Sequence, residues 1–335
     1  MADLEQAATG TVRHKLLPMP LRHVNPTYAA LATLVFLLFY NAIFTPYFLT
    51  VQTLNINLTQ VATIVIVATG MTLVIATGGI DLSVGALMAI AGAAAPLIFL
   101  KGTSPLDNRM IGNVVALVVP VLIAGLFGIF NGWLITTFEI QPIIATLVLY
   151  IAGRGIAQVV TNGNLQSFKN PGFQFIGLGR PLGIPFQVIL MVIIVLVIIW
   201  LMRTTTFGRY VLAIGGNESA ARLAGVPVKR VKLAVYGISG LLAGLAGLIV
   251  IAINSSSDAN LVGLNMELDA IAAVAVGGTP LTGGRAAILG TMLGALIIQL
   301  IRFTLLANGI PFAVAQVFNA LLILAAVYAQ LQPRS

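Results

Sequence analysis

Long apolar stretches separated by short polar links run along almost the whole chain. Most stretches have about the 20 residues that a helix needs to cross a hydrocarbon layer, and none alternates like a strand facing lipid. The pattern therefore predicts an all-α, polytopic integral membrane protein with about ten transmembrane helices, of which the eighth is short. The predicted spans are Tyr28–Phe44, Leu58–Thr77, Val84–Leu100, Ile111–Phe138, Ile143–Val160, Phe186–Met202, Leu233–Ile253, Glu267–Val276, Ala286–Leu306 and Pro311–Gln330.

Two glycine pairs interrupt this pattern, and each precedes a helix of small residues. Gly78-Gly79 follows the second span, and Gly277-Gly278 ends the eighth. Glycine within a helix costs roughly 1 kcal/mol relative to alanine, and in lipid the freed backbone groups need partners. Such breaks are tolerated where they are buried in protein or line a wet cavity. They predict glycine-broken helices in a weak internal repeat, either parallel or inverted.

Composition supports a membrane protein and limits its chemistry. Of 335 residues, 59% are hydrophobic and 8% are charged, and the mean hydropathy is +1.04. A soluble domain carries about 25% charge. The chain has no cysteine, its two histidines (His14 and His23) precede the first span, and its acids are few and scattered. We therefore predict no catalytic residues, no metal site and no enzyme activity.

Positive charge is concentrated between the sixth and seventh spans, at residues 203–232. A net charge of +8 would indicate nucleic acid for a soluble protein, but bases also gather in the cytoplasmic loops of membrane proteins. We therefore predict no nucleic-acid partner and a cytoplasmic loop at 203–232. With ten spans, both termini fall on that side. The predicted domains are cytoplasmic tails at 1–27 and 331–335, and a transmembrane domain at 28–330.

A short helix is predicted inside the 203–232 loop. Asn217 is a good N-cap, and Glu218 in the first turn suits the helix dipole. Gly225 is a suitable stop, after which Pro227 prevents continuation. The helix carries a face of small residues that includes Ala221. Such a segment fits a groove on another protein or rests on anionic membrane lipid, and the residues alone leave both readings open.

Three motifs occur in order along the chain. They read GMTLVIATGGIDLSVG at 70–85, AIGGNESAARLAGV at 213–226, and LDAIAAVAVGG at 268–278 followed by LTGGR at 281–285. Together they resemble the ribose/xylose/arabinose-type permeases of bacterial ABC importers. Within that family, IQPIIATL at 140–147 and AGRGIAQ at 152–158 most resemble the galactofuranose importer permeases.

The resemblance implies a permease subunit that imports a monosaccharide such as galactofuranose or ribose across a bacterial inner membrane. A second permease subunit, either the same or a sister chain, would accompany it. A periplasmic or lipid-anchored sugar-binding protein would feed it, and a separate cytoplasmic ATPase would drive it. ATP and Mg would belong to that ATPase. No lysine follows a glycine in this chain, so it has no Gly-x-x-x-x-Gly-Lys phosphate loop and we predict no cofactor.

The second motif looks like the segment with which these permeases engage their ATPase. Its candidate docking residues are Gly215, Asn217, Glu218, Ala221, Arg222 and Gly225. Candidates for the translocation path are the two breaks and polar residues within or beside the spans. They are Gly78, Gly79, Asp81, Ser83, Asn131, Arg154, Gly277 and Gly278.

Each polar path candidate has an ordinary structural alternative. Asp81 either shapes the path or caps the following helix, with Ser83 sharing that role. Arg154 either lines the path as a donor to sugar oxygens or is a paired or snorkelling arginine. Asn131 and Gln158 either bond sugar hydroxyls or join helices to one another.

Residues near the outer helix ends also have two readings. Arg302 is expected to snorkel at the outer end of the ninth span. Phe168, Phe173 and Phe175 form either a docking surface for the binding protein or packing at the membrane interface.

A stand-alone secondary transporter or channel for a small polar solute is the main rival. It needs membrane carboxylates for ion coupling, and only Asp81 and Asp269 qualify. It also leaves the 203–232 loop without a purpose. A dependence of uptake on ATP would separate the two functions.

Overall fold

The protein was analysed as a computed structural model, which describes residues 26–100 and 109–311 together with positions 313, 314, 316, 317, 320, 321 and 324. Two short strands, β1 (Gln166–Ser167) and β2 (Ser256–Ser257), pair antiparallel. The helices are α1 Pro26–Phe44, α2 Val51–Ala76, α3 Val84–Leu100, α4 Arg109–Thr137, α5 Pro142–Thr161, α6 Pro171–Leu178, α7 Phe186–Thr204, α8 Thr206–Gly216, α9 Glu218–Leu223, α10 Val228–Asn254, α11 Met266–Val276 and α12 Ile288–Ala307. Both predicted tails and the tenth span lie largely or entirely outside the described residues.

The all-α polytopic class is confirmed. Among the described residues, seven helices are long and apolar enough to cross a membrane, and α3 and α11 are shorter. α3 has the predicted bounds. α2 begins earlier than predicted, at Val51, because the Thr50 side chain caps it by accepting the N–H of Thr53 at 3.2 Å.

Two segments predicted as loops contain further helices. Within 161–185, α6 begins after Asn170, whose side chain accepts the N–H of Phe173 at 3.3 Å. Within 203–232, α8 precedes α9 and buries Val211 and Ile214 against the bundle. Helices this short are stabilised by packing one face against the rest of the protein. Their apolar runs were too brief to predict them.

α2 and α10 form the centre of the bundle. Every residue of α2 from Val61 to Ala76 is buried, and α10 is buried along most of its length while it packs against α2, α3 and α4. A Cβ on Gly240 of α10 would meet the backbone of Ala124 in α4. Lipid provides no hydrophobic attraction between helices, so close backbone approach of this kind accounts for their packing.

The helix ends form two opposite faces. The basic end consists of α8, α9 and the turn between α4 and α5, together with the C-terminal end of α2. The hairpin end consists of β1, β2 and α6. From the hairpin end, the segment between β2 and α11 folds into the bundle, where Val262 is buried and the Gly263 carbonyl lies against Gly85. α11 therefore starts inside the bundle, which explains its short length.

Candidate translocation path and docking surface

The first break is a helix end closed by its own backbone. Gly78 has a left-handed φ of +80°, its N–H donates to Ile75 O at 2.8 Å, and the Gly79 N–H donates to Val74 O at 3.1 Å. This is the Schellman arrangement, in which a left-handed glycine lets the last carbonyls find donors. The break therefore leaves α2 without open carbonyl groups at these positions.

The second break repeats the same arrangement one residue later than the glycine pairs indicate. Gly278 has a φ of +86°, its N–H donates to Ala275 O at 3.0 Å, and the Thr279 N–H donates to Val274 O at 3.2 Å. Gly278 thus corresponds to Gly78. Gly277 serves close packing instead, because a Cβ there would meet the backbone of Gly290 in α12.

The two breaks meet at the basic end. The Gly284 N–H, in the link that follows the second break, donates to Ala76 O at the end of α2 at 3.0 Å. Gly215, at the end of α8, packs so closely here that a Cβ would meet the Ala76 carbonyl and the Gly284 nitrogen. Both breaks therefore lie near one face, and α2 and α11 run in the same direction, because each packs antiparallel to α12.

Asp81 follows the first break and is completely buried. Its Oδ1 accepts the N–H of Ser83 at 3.0 Å and the Ser83 hydroxyl at 2.6 Å. Its Oδ2 accepts the hydroxyl of Ser239 on α10 at 2.9 Å. Part of the predicted capping role is present, because the Ser83 N–H directly precedes α3. The bond to α10 could not be foreseen, and it gives the intramembrane carboxyl the partners that it requires.

Asn131 and Tyr236 complete this buried polar cluster. Asn131 Nδ2 donates to Ser83 Oγ at 2.9 Å, which joins α4 to the first break, as the helix-joining alternative predicted. The Tyr236 hydroxyl lies against Gly79, where a Cβ would approach it to 2.5 Å. Sequence reasoning missed Tyr236, because nothing in the local pattern of α10 distinguishes it from a packing residue.

Arg154 on α5 binds the backbone of the segment that leads into α11. Its Nη1 donates to Ala259 O at 2.9 Å and to Val262 O at 2.6 Å. One turn further along α5, Gln158 Nε2 donates to Asn260 Oδ1 at 2.7 Å. Arg154 is therefore paired through Nη1 with two backbone carbonyls, and both side chains hold the segment after β2 against α5.

α9 is formed and capped as predicted. Asn217 Oδ1 accepts the Ala220 N–H at 2.9 Å, and Gly225, with a φ of +81°, closes the other end by donating to Arg222 O at 3.1 Å. Glu218 accepts from Lys232 Nζ at 2.6 Å and from Arg222 Nη2 at 3.2 Å. Burial alone would raise the pKa of Glu218, but the bonds and charges of Lys232 and Arg222 outweigh it and hold that pKa below its usual range.

The candidate docking residues divide into two groups. Ala221 is buried and Gly215 packs against α2, so these two face the bundle. Asn217, Arg222 and Gly225 are exposed and Glu218 is half-buried, beside Leu223, whose surface is 91% exposed. A cavity of about 340 Å³ lies between α9 and the α4–α5 turn. Its polar lining residues include Glu139, Gln141, Glu218, Arg222, Lys229 and Lys232.

The remaining candidate residues, which the sequence places at outer helix ends, are mostly packed. Phe168 and Phe173 are buried and contact each other's rings, while Phe175 is exposed, so the three do not form one open surface. The expectation that Arg302 snorkels is wrong. Its Nη2 donates to both carboxyl oxygens of Asp269 at 2.8 Å, because α12 packs beside α11.

Comparison with known proteins decides the family. Residues 53–327 match the family described as branched-chain amino acid transport system / permease component. The chain belongs to this permease family. This match and the relatives described next together confirm the resemblance inferred from the three motifs, and the protein is a multi-pass membrane permease and not an enzyme.

Curated relatives of the permease carry sugar names. It is 41% identical to the galactofuranose transporter permease of Escherichia coli K12, over 82% of this chain and 78% of the relative. It is 40% identical to the ribose import permease of the same strain, over 84% and 86%, and 38% identical to a fructose import permease of Bifidobacterium longum, over 80% and 74%. Identities of 41% and 40% do not separate galactofuranose from ribose. No solved structure matches the chain.

Proposed function

We propose that this permease moves a monosaccharide into the bacterial cytoplasm as a membrane subunit of an ABC importer. The similarity to the galactofuranose, ribose and fructose permeases, each over at least 80% of this chain, carries the proposal. The family description names amino acids, so membership alone does not fix the solute, and the sugar class rests on these relatives.

The basic end supports a cytoplasmic ATPase partner. α9 presents an exposed apolar side chain, Leu223, next to the exposed guanidinium of Arg222. Lipid alone gives no reason for the small cavity beside it, whereas a protein partner can place a side chain there. We therefore assign docking to α9 and place 203–232 and both termini in the cytoplasm, because bases collect on that side.

The contacts of Gly215 provide a mechanical route from the docking surface to the translocation path. α8 ends against Ala76 and Gly284, which are the points where the two breaks meet. A push on α9 therefore reaches α2 and the link before α12 through backbone contacts, which transmit displacement because packed interiors are stiff. ATP and Mg act on the partner ATPase. A second permease subunit and a sugar-binding protein complete the importer.

Co-purification with a candidate ATPase from the same genome tests this function. We expect retention by the wild-type permease and loss of most retention in Leu223→Asp, which places a charge on the docking surface, and in Gly225→Pro, which removes the closing bond of α9. Arg230→Ala is the matched control, since it removes a neighbouring exposed base outside α9. It should retain the ATPase.

Uptake into proteoliposomes, with labelled D-ribose, D-galactose and D-fructose, tests the reaction itself. The importer requires ATP inside and a loaded binding protein outside. If no ATPase is retained and uptake of any solute continues without ATP, the importer proposal is wrong. The stand-alone transporter, with Asp81 as the ion-coupling residue, would then be the function to pursue.

A further inference from the structure

Arg154 and Glu267 each bury a polar atom that has no hydrogen-bond partner among the described residues. These atoms are Arg154 Nη2 and Glu267 Oε2. Glu267 is only 4% exposed. Arg154 donates to the Val262 carbonyl, and the next carbonyl along the chain, that of Gly263, lies with Glu267 Oε2 against Gly85. A buried polar group without a partner carries its full desolvation penalty. One open donor and one open acceptor therefore lie in the same region.

The surrounding backbone fixes both groups. The other terminal nitrogen of Arg154 is held by the carbonyls of Ala259 and Val262. Glu267 Oε2 lies over Gly85, 2.5 Å from where a Cβ would be, so its carboxyl reaches the first turn of α3, where the helix dipole favours an acid. α3, α5 and the start of α11 thus converge here, just after the first break. Helices interrupted within the membrane form solute sites in many transporters.

Arg154 and Gln158 place polar groups on one side of α5, with the exposed Ile151 one turn before them on the same side. Asn260, which bonds Gln158, is exposed next to Arg154, whereas Val159, with 76% of its surface exposed, lies on another side of the helix. Polar side chains within membrane spans turn toward protein or water-filled space. The region around Arg154 is therefore suited to a passing polar solute.

The chemistry of the two open atoms selects the solute group. A simple cation would satisfy only the carboxyl and a simple anion only the guanidinium, whereas a hydroxyl has both an acceptor for Nη2 and a donor for Oε2. We propose that Arg154 and Glu267 form a hydroxyl-binding site on the translocation path, which takes one hydroxyl of the carried monosaccharide. This inference rests on the proposed function, and Gln158 and Asn260 lie beside the same site.

Monodeoxy analogues of the transported sugar test the site in the complete importer. Maximal uptake is measured with the binding protein saturated by each sugar, so that its own selectivity does not enter. The wild type should carry the analogue lacking the bound hydroxyl about tenfold more slowly than the parent sugar. Glu267→Ala should be slow with the parent sugar and should lose this discrimination, and Glu267→Gln should recover part of it because its amide oxygen still accepts.

Asp269→Asn is the matched control, since it alters a carboxyl in the same helical turn that is bonded to Arg302. It should keep the wild-type discrimination. If every analogue gives the same ratio in wild type and Glu267→Ala, the site is wrong even when the importer works. If the wild type carries no sugar but couples another solute to ATP, the proposed sugar function fails instead. Melting temperature and retention of the ATPase identify a Glu267 variant that is merely misfolded. In that case Arg154→Gln is tested instead, by the same ratio of analogue uptake to parent-sugar uptake.

Discussion

The two glycine breaks share one backbone motif but are held by different partners. Gly78 and Gly278 both adopt a left-handed conformation, and the residue after each bonds back to the last turn of the helix. After the first break, Asp81 bonds Ser239 of the central helix α10. After the second, the link bonds Ala76 and lies beside α8 at the basic end. The glycine shapes the turn, and the residues that follow decide what the turn is attached to.

This difference assigns the breaks different tasks. The first is bonded within the core through buried side chains, so it resists movement relative to α10. The second is attached mainly through backbone contacts to the end of α2 and lies under α8, close to the proposed docking surface. A displacement that begins at α9 therefore reaches the end of α2 and the link after the second break through the same contacts, and the Asp81 bonds hold the first break to α10 against it.

Of the substitutions at the two breaks, removing the Asp81 carboxyl should cause the largest loss of unfolding free energy. Asp81→Leu leaves the Ser83 N–H and the hydroxyls of Ser83 and Ser239 without their acceptor, and we expect a loss of roughly 3 kcal/mol in unfolding free energy. Thr279→Val at the second break removes the acceptor of the Ala287 N–H, a 2.9 Å bond, and should cost about 1 kcal/mol. Thermal unfolding in detergent compares the two.

Asp81→Asn serves as the control, because its amide oxygen keeps one acceptor with nearly the same shape. It should fall between the wild type and Asp81→Leu. Equal destabilisation by Asp81→Leu and Thr279→Val would show that the two breaks do not differ in their attachment to the core.

Alanine should destabilise the protein more at Gly277, which is closely packed, than at Gly78, which has a left-handed φ. A Cβ on Gly277 would meet the backbone of Gly290 and Thr291, which cannot move without separating α11 from α12, so Gly277→Ala should cost about 2 kcal/mol. At Gly78 a Cβ finds open space, its nearest neighbour being Thr282 O at 3.8 Å, so Gly78→Ala incurs only left-handed strain of about 1 kcal/mol. Melting temperatures rank the two variants.

Asparagine at both positions sharpens this test. Asparagine accepts the left-handed conformation more readily than alanine, so Gly78→Asn should lower the melting temperature less than Gly78→Ala does. At the packed position the order should be reversed, so Gly277→Asn should lower the melting temperature more than Gly277→Ala does. The opposite order would mean that the register relating Gly78 to Gly278 is incorrect.

Local signals were predictable from the sequence, and long-range partners were not. The cap at Asn217, the stop at Gly225 and the start of α3 follow from neighbouring residues, and the structure has them. The pairing of Arg302 with Asp269 and of Asp81 with Ser239 joins residues far apart in the chain, so no local pattern signals it. The same holds for Gly277, whose role depends on the approach of α12.

The hydroxyl pair between α2 and α12 should give the smallest energetic effect, and it tests one specific contact between the helices of the two breaks. Thr72 Oγ1 and Thr291 Oγ1 lie 2.8 Å apart, and they join the helix that enters the first break to the helix that leaves the second. Each hydroxyl can also bond its own helix backbone, as Thr72 does to Ala68 O at 2.7 Å, so the coupling energy should be only about 0.6 kcal/mol. A double-mutant cycle with Thr72→Val and Thr291→Val measures it. A coupling above about 2 kcal/mol would mean that the breaks are fixed to each other by side chains, and the second break would then lack the freedom that transmission from α9 requires.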